Sequence, residues 1–259
     1  MPGPDATNPV SAVETTVSIL ETITELEGAS LTELAERLDV AKSTIHRHLS
    51  TLRQEGYVVT DGDEYHVSLH LFDLASYNRE RNPLFHIGRS TADEIAGRIE
   101  ERVSLVVAEQ GRAVKCYIAE SNRSITTDSH LGLAMRMHCT SGGKALLSQM
   151  DDKRVEEILD RNGLERLTDN TITDRESLFE ELQEVRKTGI AFDNQERLAG
   201  VRGVAAPVVD KQTGDVIGAF DIAGPATRLE GEKYSEQIPN LVQRAADEIA
   251  VNIKYWRTE

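Results

Sequence analysis

Cysteine, lysine and long apolar runs are all in short supply in this chain of 259 residues. Its two cysteines, Cys116 and Cys139, cannot build a disulfide framework and point to a reducing compartment. No apolar run approaches the roughly 18 residues of a membrane-spanning helix, so no membrane partner is expected. Met1 to Asn8 lack the apolar core of a signal peptide, and a cytoplasmic location is expected. Lysine supplies 8 of the 29 basic residues against 44 carboxylates, for a net charge of −15. That balance resembles the halophilic surfaces of proteins adapted to high intracellular salt. It opposes simple attraction to nucleic acid, whose non-specific affinity comes from neutralising phosphates. In strong salt, however, the Debye length falls to about 3 Å and long-range repulsion is screened. A hydrophobic content of 39% supports a real core, and the length suits two domains.

The most specific signal lies between Leu31 and Val67. Ser30-Leu31-Thr32-Glu33 has capping-box spacing, and Leu31, Leu34, Ala35 and Leu38 form one apolar stripe of a short helix. Asp39-Val40-Ala41 makes a turn. The next helix, KSTIHRHLSTLRQEG, buries Ile45, Leu49 and Leu52, turns Ser43, Thr44, His46, Arg47 and Ser50 outward, and stops at Gly56. Tyr57–Val59 and Tyr65–Val67 flank the turn-rich Thr60–Glu64 and read as a hairpin. Helix, turn, helix and hairpin in that order describe a winged helix-turn-helix, whose second helix enters the major groove of double-stranded DNA. Lys42, Ser43, Thr44, His46, Arg47, Ser50 and Arg53 are the candidate DNA contacts. Within Val40–Val58, Lys42, Arg47 and Arg53 face Glu55 alone, so positive charge is local to this helix.

Val13, Val17, Leu20 and Ile23 predict a leading helix packed on the other two. Leu69 to Arg81 predicts a connecting helix with Leu71, Leu74 and Ala75 on one face, interrupted at Asn82-Pro83. The boundaries expected are a DNA-binding domain over 1–70, a linker helix over 71–82 and a second domain over 83–259. The second domain reads as α+β. It begins with a helix through Ile87, Ile95 and Ile99, then a hairpin of Val103–Glu109 and Ala113–Glu120 around Gln110-Gly111-Arg112. A loop over Ser121–His138 leads to a helix opened by Ser141-Gly142-Gly143, and Asp152–Arg161 predicts another. Thr173–Glu176 reads as a second capping box, opening a helix that ends at Gly189. Ile190–Asp193, Gly203–Val209 and Val216–Ala223 are strand candidates, and Glu232–Trp256 a closing amphipathic helix.

Several chemistries are disfavoured by spacing. A phosphate loop needs glycine where His138 stands and Ser or Thr at Ala145. His138-Cys139 with Cys116 and His130 lacks metal-ligand spacing, and Ser141 lies in no G-x-S-x-G elbow. Neither metal nor cofactor nor catalytic residue is expected.

LTELAERLDVAKSTIHRHLSTLRQEGYV, CTSGGKALL, LTDNTITDRESLFEELQEVRKTGIAFDNQE and GVRGVAAPVVDKQTGDVIGAFDIAGPATRL resemble, in order, blocks of the IclR family of transcriptional regulators. The resemblance implies a GAF-like effector-binding domain with a mostly antiparallel sheet. It also implies a homodimer or homotetramer on a pseudo-palindromic operator, and a small-molecule effector such as a carboxylate, sugar acid or aromatic acid. By position it implies an effector site at Gly142, Asp193, Gly203, Asp221 and Ala223, with Leu133 and Met135 on a covering loop. Ser141 and Gly142 open a helix whose unpaired N–H groups favour an anion. Gly203, Asp221 and Ala223 stand where relatives that bind small keto acids often carry Ser or Cys. Two acids beside one cavity would repel a simple carboxylate and suit hydroxyl donors or a cation. A different-class alternative is a small-molecule or redox enzyme on this GAF-like domain, tethered to DNA.

Overall fold

Capping residues start most helices of the protein, and tight turns set its hairpins. The computed structural model describes residues 7–124 and 127–256. The reading of Met1–Asn8 therefore lies mostly outside the described residues. Contacts divide the chain between Glu80 and Arg81 into two units.

The first unit runs α1 (Ser11–Glu25), β1 (Ala29–Ser30), α2 (Leu31–Leu38), α3 (Lys42–Gln54), β2 (Val58–Asp61), β3 (Glu64–Val67) and α4 (His70–Glu80). Ser30 Oγ accepts from the Glu33 N–H while Glu33 Oε2 accepts from the Ser30 N–H at 2.9 Å, forming the expected capping box. Ile45, Leu49 and Leu52 of α3 join Ile19, Ile23 and Leu34 in one core. Three details differ from expectation. Of the leading stripe only Ile23 is fully buried; Val13 and Val17 are 58% and 48% exposed, because Ile19, Thr22 and Ile23 face the core instead. The wing closes on the two residues Gly62 and Asp63, with Asp61 paired to Glu64 and Gly62 at φ 57. Ala29–Ser30, too short to show a period, adds a third strand to β3. Helix α4 groups with this unit, and no residue on it is buried: Leu74, expected on an apolar face, is exposed beside Phe72 and Tyr77.

The second unit contains α5 (Pro83–Ile99), β4 (Arg102–Glu109), β5 (Arg112–Ala119), β6 (Ala134–Arg136), a 3-10 turn over Met137–Cys139, α6 (Ser141–Ser148), α7 (Asp152–Asn162) and α8 (Arg175–Thr188). It continues with β7 (Ala191–Asn194), β8 (Val201–Val209), β9 (Val216–Pro225), a π turn over Lys233–Gln237 and α9 (Ile238–Trp256). Six strands form one antiparallel sheet in the order β6-β5-β4-β9-β8-β7. Because side chains alternate across a strand, the central strands divide between two cores. Leu105, Val204, Phe220 and Ile222 pack under α5 and α9. Val106, Ala113, Ala191, Ala205 and Ala219 pack under α6, α7 and α8. The small residues on that second face let α6 lie close to the sheet.

Three readings are corrected here. The residue capping α8 is Asp174, whose Oδ1 accepts from the Ser177 N–H at 2.8 Å; the expected Thr173–Glu176 box is therefore one position out of register. The closing helix is interrupted at its start. Pro239 has no N–H to give to residue 235, and the Ile238 N–H bonds instead to the Lys233 carbonyl in a π turn. The expected loop over Ser121–His138 contains edge strand β6, paired to β5 at Ala113↔Met135, and the 3-10 turn; residues 125 and 126 lie outside the described residues. No helix among the described residues is long and apolar enough to cross a membrane.

Candidate functional site

Amphipathic spacing alone aims α3. With Ile45, Leu49 and Leu52 inward, Lys42, Ser43, His46, Arg47, Ser50 and Arg53 are exposed and Thr44 is half-buried. Lys42 Nζ donates to Thr32 Oγ1 of α2 at 3.0 Å. His48, on the flank, bonds Thr16 of α1 at 2.8 Å. The wing tip carries Asp61, Asp63 and Glu64, so the hairpin adds no lysine or arginine to the positive charge of the recognition helix.

In the second unit, the α6 side of the sheet opens into a cavity of about 40 Å³. All six strands reach it: β6 through Met135, β5 through Lys115, β4 through Arg102 and Val106, β9 through Asp221 and Ala223, β8 through Val201 and Gly203, and β7 through Asp193. The α6 start contributes Thr140, Ser141 and Gly142. The structure thus brings together seven of the eight residues singled out in the sequence: Met135, Ser141, Gly142, Asp193, Gly203, Asp221 and Ala223. Leu133 is the exception, since it packs against the α6 core instead of lining the cavity. Met135 sits on an edge strand and not on a covering loop. The loop residues Thr127, Ser129, Arg197 and Leu198 line it as well.

The start of α6 does hold an anion, but it is the protein's own. Asp221 Oδ1 accepts from Ser141 Oγ at 2.5 Å, and the Gly142 N–H also points at this carboxylate. Burial pushes the Asp221 pKa above its ordinary value, against the pull of Lys115, Ser141, Gly142 and Arg102. Burial likewise raises Asp193, to about 7, although its Oδ1 accepts from the Glu196 N–H at 2.7 Å. Lys115 is pushed below its ordinary value, chiefly by burial, with Asp221 opposing. Arg102, Lys115 and Arg197 were missed in the sequence and change the electrostatics: the cavity is mixed in charge, which corrects the reading of an acidic pocket. A signal existed for two of them. Arg102 and Lys115 are charges at the start and in the middle of largely apolar strands, where a buried cation needs a partner.

Other single-letter suspicions resolve into structure. His138 Nε2 is bonded to the Glu165 carbonyl at 3.1 Å. The Cys139 thiol is pushed up to about 12, first by burial. Such a thiol has almost no thiolate to offer redox chemistry at neutral pH. Among the described residues no group of three or more His, Cys, Asp or Glu is gathered to hold a metal. Lys144 is buried between Glu181 and Glu196, with Nζ–Oε1 distances of 2.8 Å to each. Gly143 has a steric reason: a Cβ there would stand 2.3 Å from the Met137 carbonyl oxygen and 2.5 Å from its Cα, both backbone atoms that cannot swing away. Gly143→Ala is expected to cost about 1–3 kcal/mol of stability through overpacking, measured by denaturant unfolding. An unchanged midpoint would show that the turn before α6 yields freely.

The chain matches two family profiles, the "Bacterial transcriptional regulator IclR C-terminal" over residues 77–251 and the "IclR helix-turn-helix domain" over residues 12–62. It is 31% identical to the probable HTH-type transcriptional regulator ArcR of Halobacterium salinarum, covering 95% of this chain and 94% of that protein. It is 30% identical to the HTH-type transcriptional regulator KdgR of Escherichia coli, again over 95% and 94%. Among solved structures, the Thermotoga maritima IclR matches 94% of this chain and 97% of its own with a TM-score of 0.76 at 27% identity. An IclR homolog from Microbacterium hydrocarbonoxydans, solved in complex with 4-hydroxybenzoate, shares the fold over 94% and 99%, with a TM-score of 0.80 at 19% identity.

Proposed function

Because the chain belongs to the IclR family of transcriptional regulators, we propose that it reads operator DNA through the exposed face of α3 and senses a small molecule in the cavity beneath α6. It is a DNA-binding regulator with an effector-binding domain, and the matched families and relatives are regulators, not enzymes. The observation that carries the assignment of contacts is the solvent-facing row Ser43, His46, Arg47 and Ser50, held outward by the buried Ile45, Leu49 and Leu52 on the opposite face. Residues near the start of such a helix read base edges, while phosphate contacts fix its position. Lys42 and Arg53 suit phosphates, and Ser43, Thr44, His46, Arg47 and Ser50 suit bases. The acidic wing tip would be repelled by phosphates at low salt, so binding leans on α3 and on screening, consistent with a cytoplasm of high salt.

The proposed assembly is a symmetric dimer or a pair of dimers, whose paired helices would read half-sites about one helical turn apart. The exposed apolar side chains of α1 and α4, Val13 and Val17 together with Phe72, Leu74 and Tyr77, support a second copy as their cover. Arg102, Lys115 and Arg197 in the cavity lining support a small organic acid as the effector. Effector binding changes operator affinity only by preferring one arrangement of the assembly over another.

Arg47→Ala is expected to weaken specific operator binding by about 1–3 kcal/mol if it reads a guanine edge, with the fold intact by circular dichroism. Fluorescence anisotropy on a footprinted promoter fragment in molar KCl measures it. Unchanged affinity in the folded variant removes Arg47 from the contact set, and unchanged affinity in Ser43, His46 and Arg47 variants alike removes α3.

A further inference from the structure

Three cations lining the cavity are engaged, one each, by the three consecutive loop residues Thr127, Asp128 and Ser129. Arg102 Nη1 donates to Thr127 Oγ1 at 2.7 Å, and Lys115 Nζ donates to Ser129 Oγ at 2.7 Å. Between them, Arg197 grips Asp128 with both guanidinium arms, at 3.0 and 2.5 Å. Arg102 and Lys115 are buried, and the Arg197 side chain is 19% exposed, whereas that of Asp128 is 61% exposed. A surface carboxylate thus reaches inward to neutralise a cluster set deep in the fold. Without it, the acids lining the cavity among the described residues would be Asp221 and the raised-pKa Asp193, while Arg102 already pairs with Glu120 at 2.8 Å. The wall would then carry an excess of positive charge.

The neighbouring strand β9 has the reverse character. Asp221 already occupies the Ser141 hydroxyl and the Gly142 N–H, so an incoming carboxylate placed there would meet a carboxylate instead of free donors. The Ser104 hydroxyl, on the same face of β4 between Arg102 and Val106 and in register with Asp221, is fully buried and has no hydrogen-bond partner among the described residues.

We propose that Arg102, Lys115 and Arg197 receive the anionic end of the effector, that Thr127-Asp128-Ser129 is a strap standing in for that anion, and that the effector is a small carboxylate bearing hydroxyl groups. Its carboxylate displaces Asp128 from Arg197, and its hydroxyls donate to Asp193 and Asp221. The strap therefore competes with the ligand through one carboxylate for another. This inference rests on the cavity being the effector site.

The test uses the full chain and a fixed set of probes: D-gluconate, pyruvate, 4-hydroxybenzoate and the uncharged D-sorbitol, by thermal shift and then calorimetric titration. D-Gluconate is expected to bind and D-sorbitol, the same skeleton without the carboxylate, is not. Asp128→Asn removes the competing charge at an exposed position. It should tighten D-gluconate binding about threefold, the scale of a solvent-screened ion pair. Arg197→Gln should weaken it about tenfold or more, as loss of a desolvated charge partner does. Equal or weaker binding in Asp128→Asn overturns the strap, as does D-sorbitol binding as well as D-gluconate, or no carboxylate of the set binding either the parent or Asp128→Asn. Ala223→Leu separates the two levels of the argument. Binding that survives this cavity-filling variant displaces the effector site itself. Binding lost in Ala223→Leu but indifferent to Asp128→Asn and Arg197→Gln keeps the cavity and sinks only the cation-and-strap assignment.

Discussion

Lys144→Met is expected to lower the unfolding free energy by about 3–5 kcal/mol, the range for removing one partner of a buried ion pair. The Lys144 side chain is 1% exposed, and Nζ touches Glu196 Oε1 and Oε2 at 2.8 and 3.0 Å and Glu181 Oε1 at 2.8 Å. Burial alone would pull its pKa down, but the two carboxylates reverse this and hold it above the ordinary lysine value. The raised pKa means that the ammonium stabilises the fold throughout the neutral range and loses its contribution only as pH climbs past that of an unfolded lysine. Methionine fills the volume and leaves Glu196, with 8% exposure, unpaired in the interior. The damage would spread, because Glu196 Oε1 also accepts from the Asn194 N–H and the Glu196 N–H donates to Asp193. Guanidinium unfolding at pH 7 measures the loss, and a double variant, Lys144→Met with Glu196→Gln, should recover part of it. A loss below about 1 kcal/mol, the value of a surface pair, would mean that water reaches this triad.

Asp193→Asn is expected to stabilise the protein, by on the order of 2–4 kcal/mol at neutral and higher pH. Burial, the largest influence on Asp193, raises its pKa from 3.8 to about 7, and each unit is worth about 1.4 kcal/mol. The sign follows from proton binding. Between about pH 4 and 7 the folded state keeps a proton that the unfolded state has given up, so stability falls as pH rises through that window. Below it both states are protonated and asparagine brings no gain; above it the penalty is complete. Asparagine can still accept the 2.7 Å hydrogen bond from the Glu196 N–H. Thermal melts of both proteins at pH 4, 6 and 8 measure the difference, which should open with pH. Curves that run parallel would show that Asp193 ionises freely in the fold. The same variant should alter the response to effector more than operator binding without it, an expected sign that stability is given up here for recognition.

Much of the DNA-reading unit was legible in the sequence because its determinants are local. Ser30 and Glu33 cap one helix, Ile45, Leu49 and Leu52 fix the rotation of the next, and Asp-Gly marks the wing. Each acts within about one or two helical turns of itself. Where two apolar stripes lie side by side on one helix, as Val13-Val17 and Ile19-Ile23 do on α1, local period does not say which one the core takes. The same holds for α4, on which no residue is buried.

The cavity was legible only in part, and mostly through family resemblance by position. The sequence by itself determined which residues of each strand share a face, since alternation is a property of the extended backbone. Thus Gly203 goes with Ala205, and Ala219 with Asp221 and Ala223. Only the tertiary structure decided that β4 lies between β5 and β9, which brings Arg102 and Lys115 opposite Asp221, and that Asp128 turns back onto Arg197. Strand order is set by pairings such as Ser104↔Asp221, more than a hundred residues apart, and the loop return by a contact 69 residues apart, paid for by burial of the whole sheet, and no short window of sequence carries that information. The charge balance of the site, with three cations over two buried acids, therefore belongs to the fold and not to any motif.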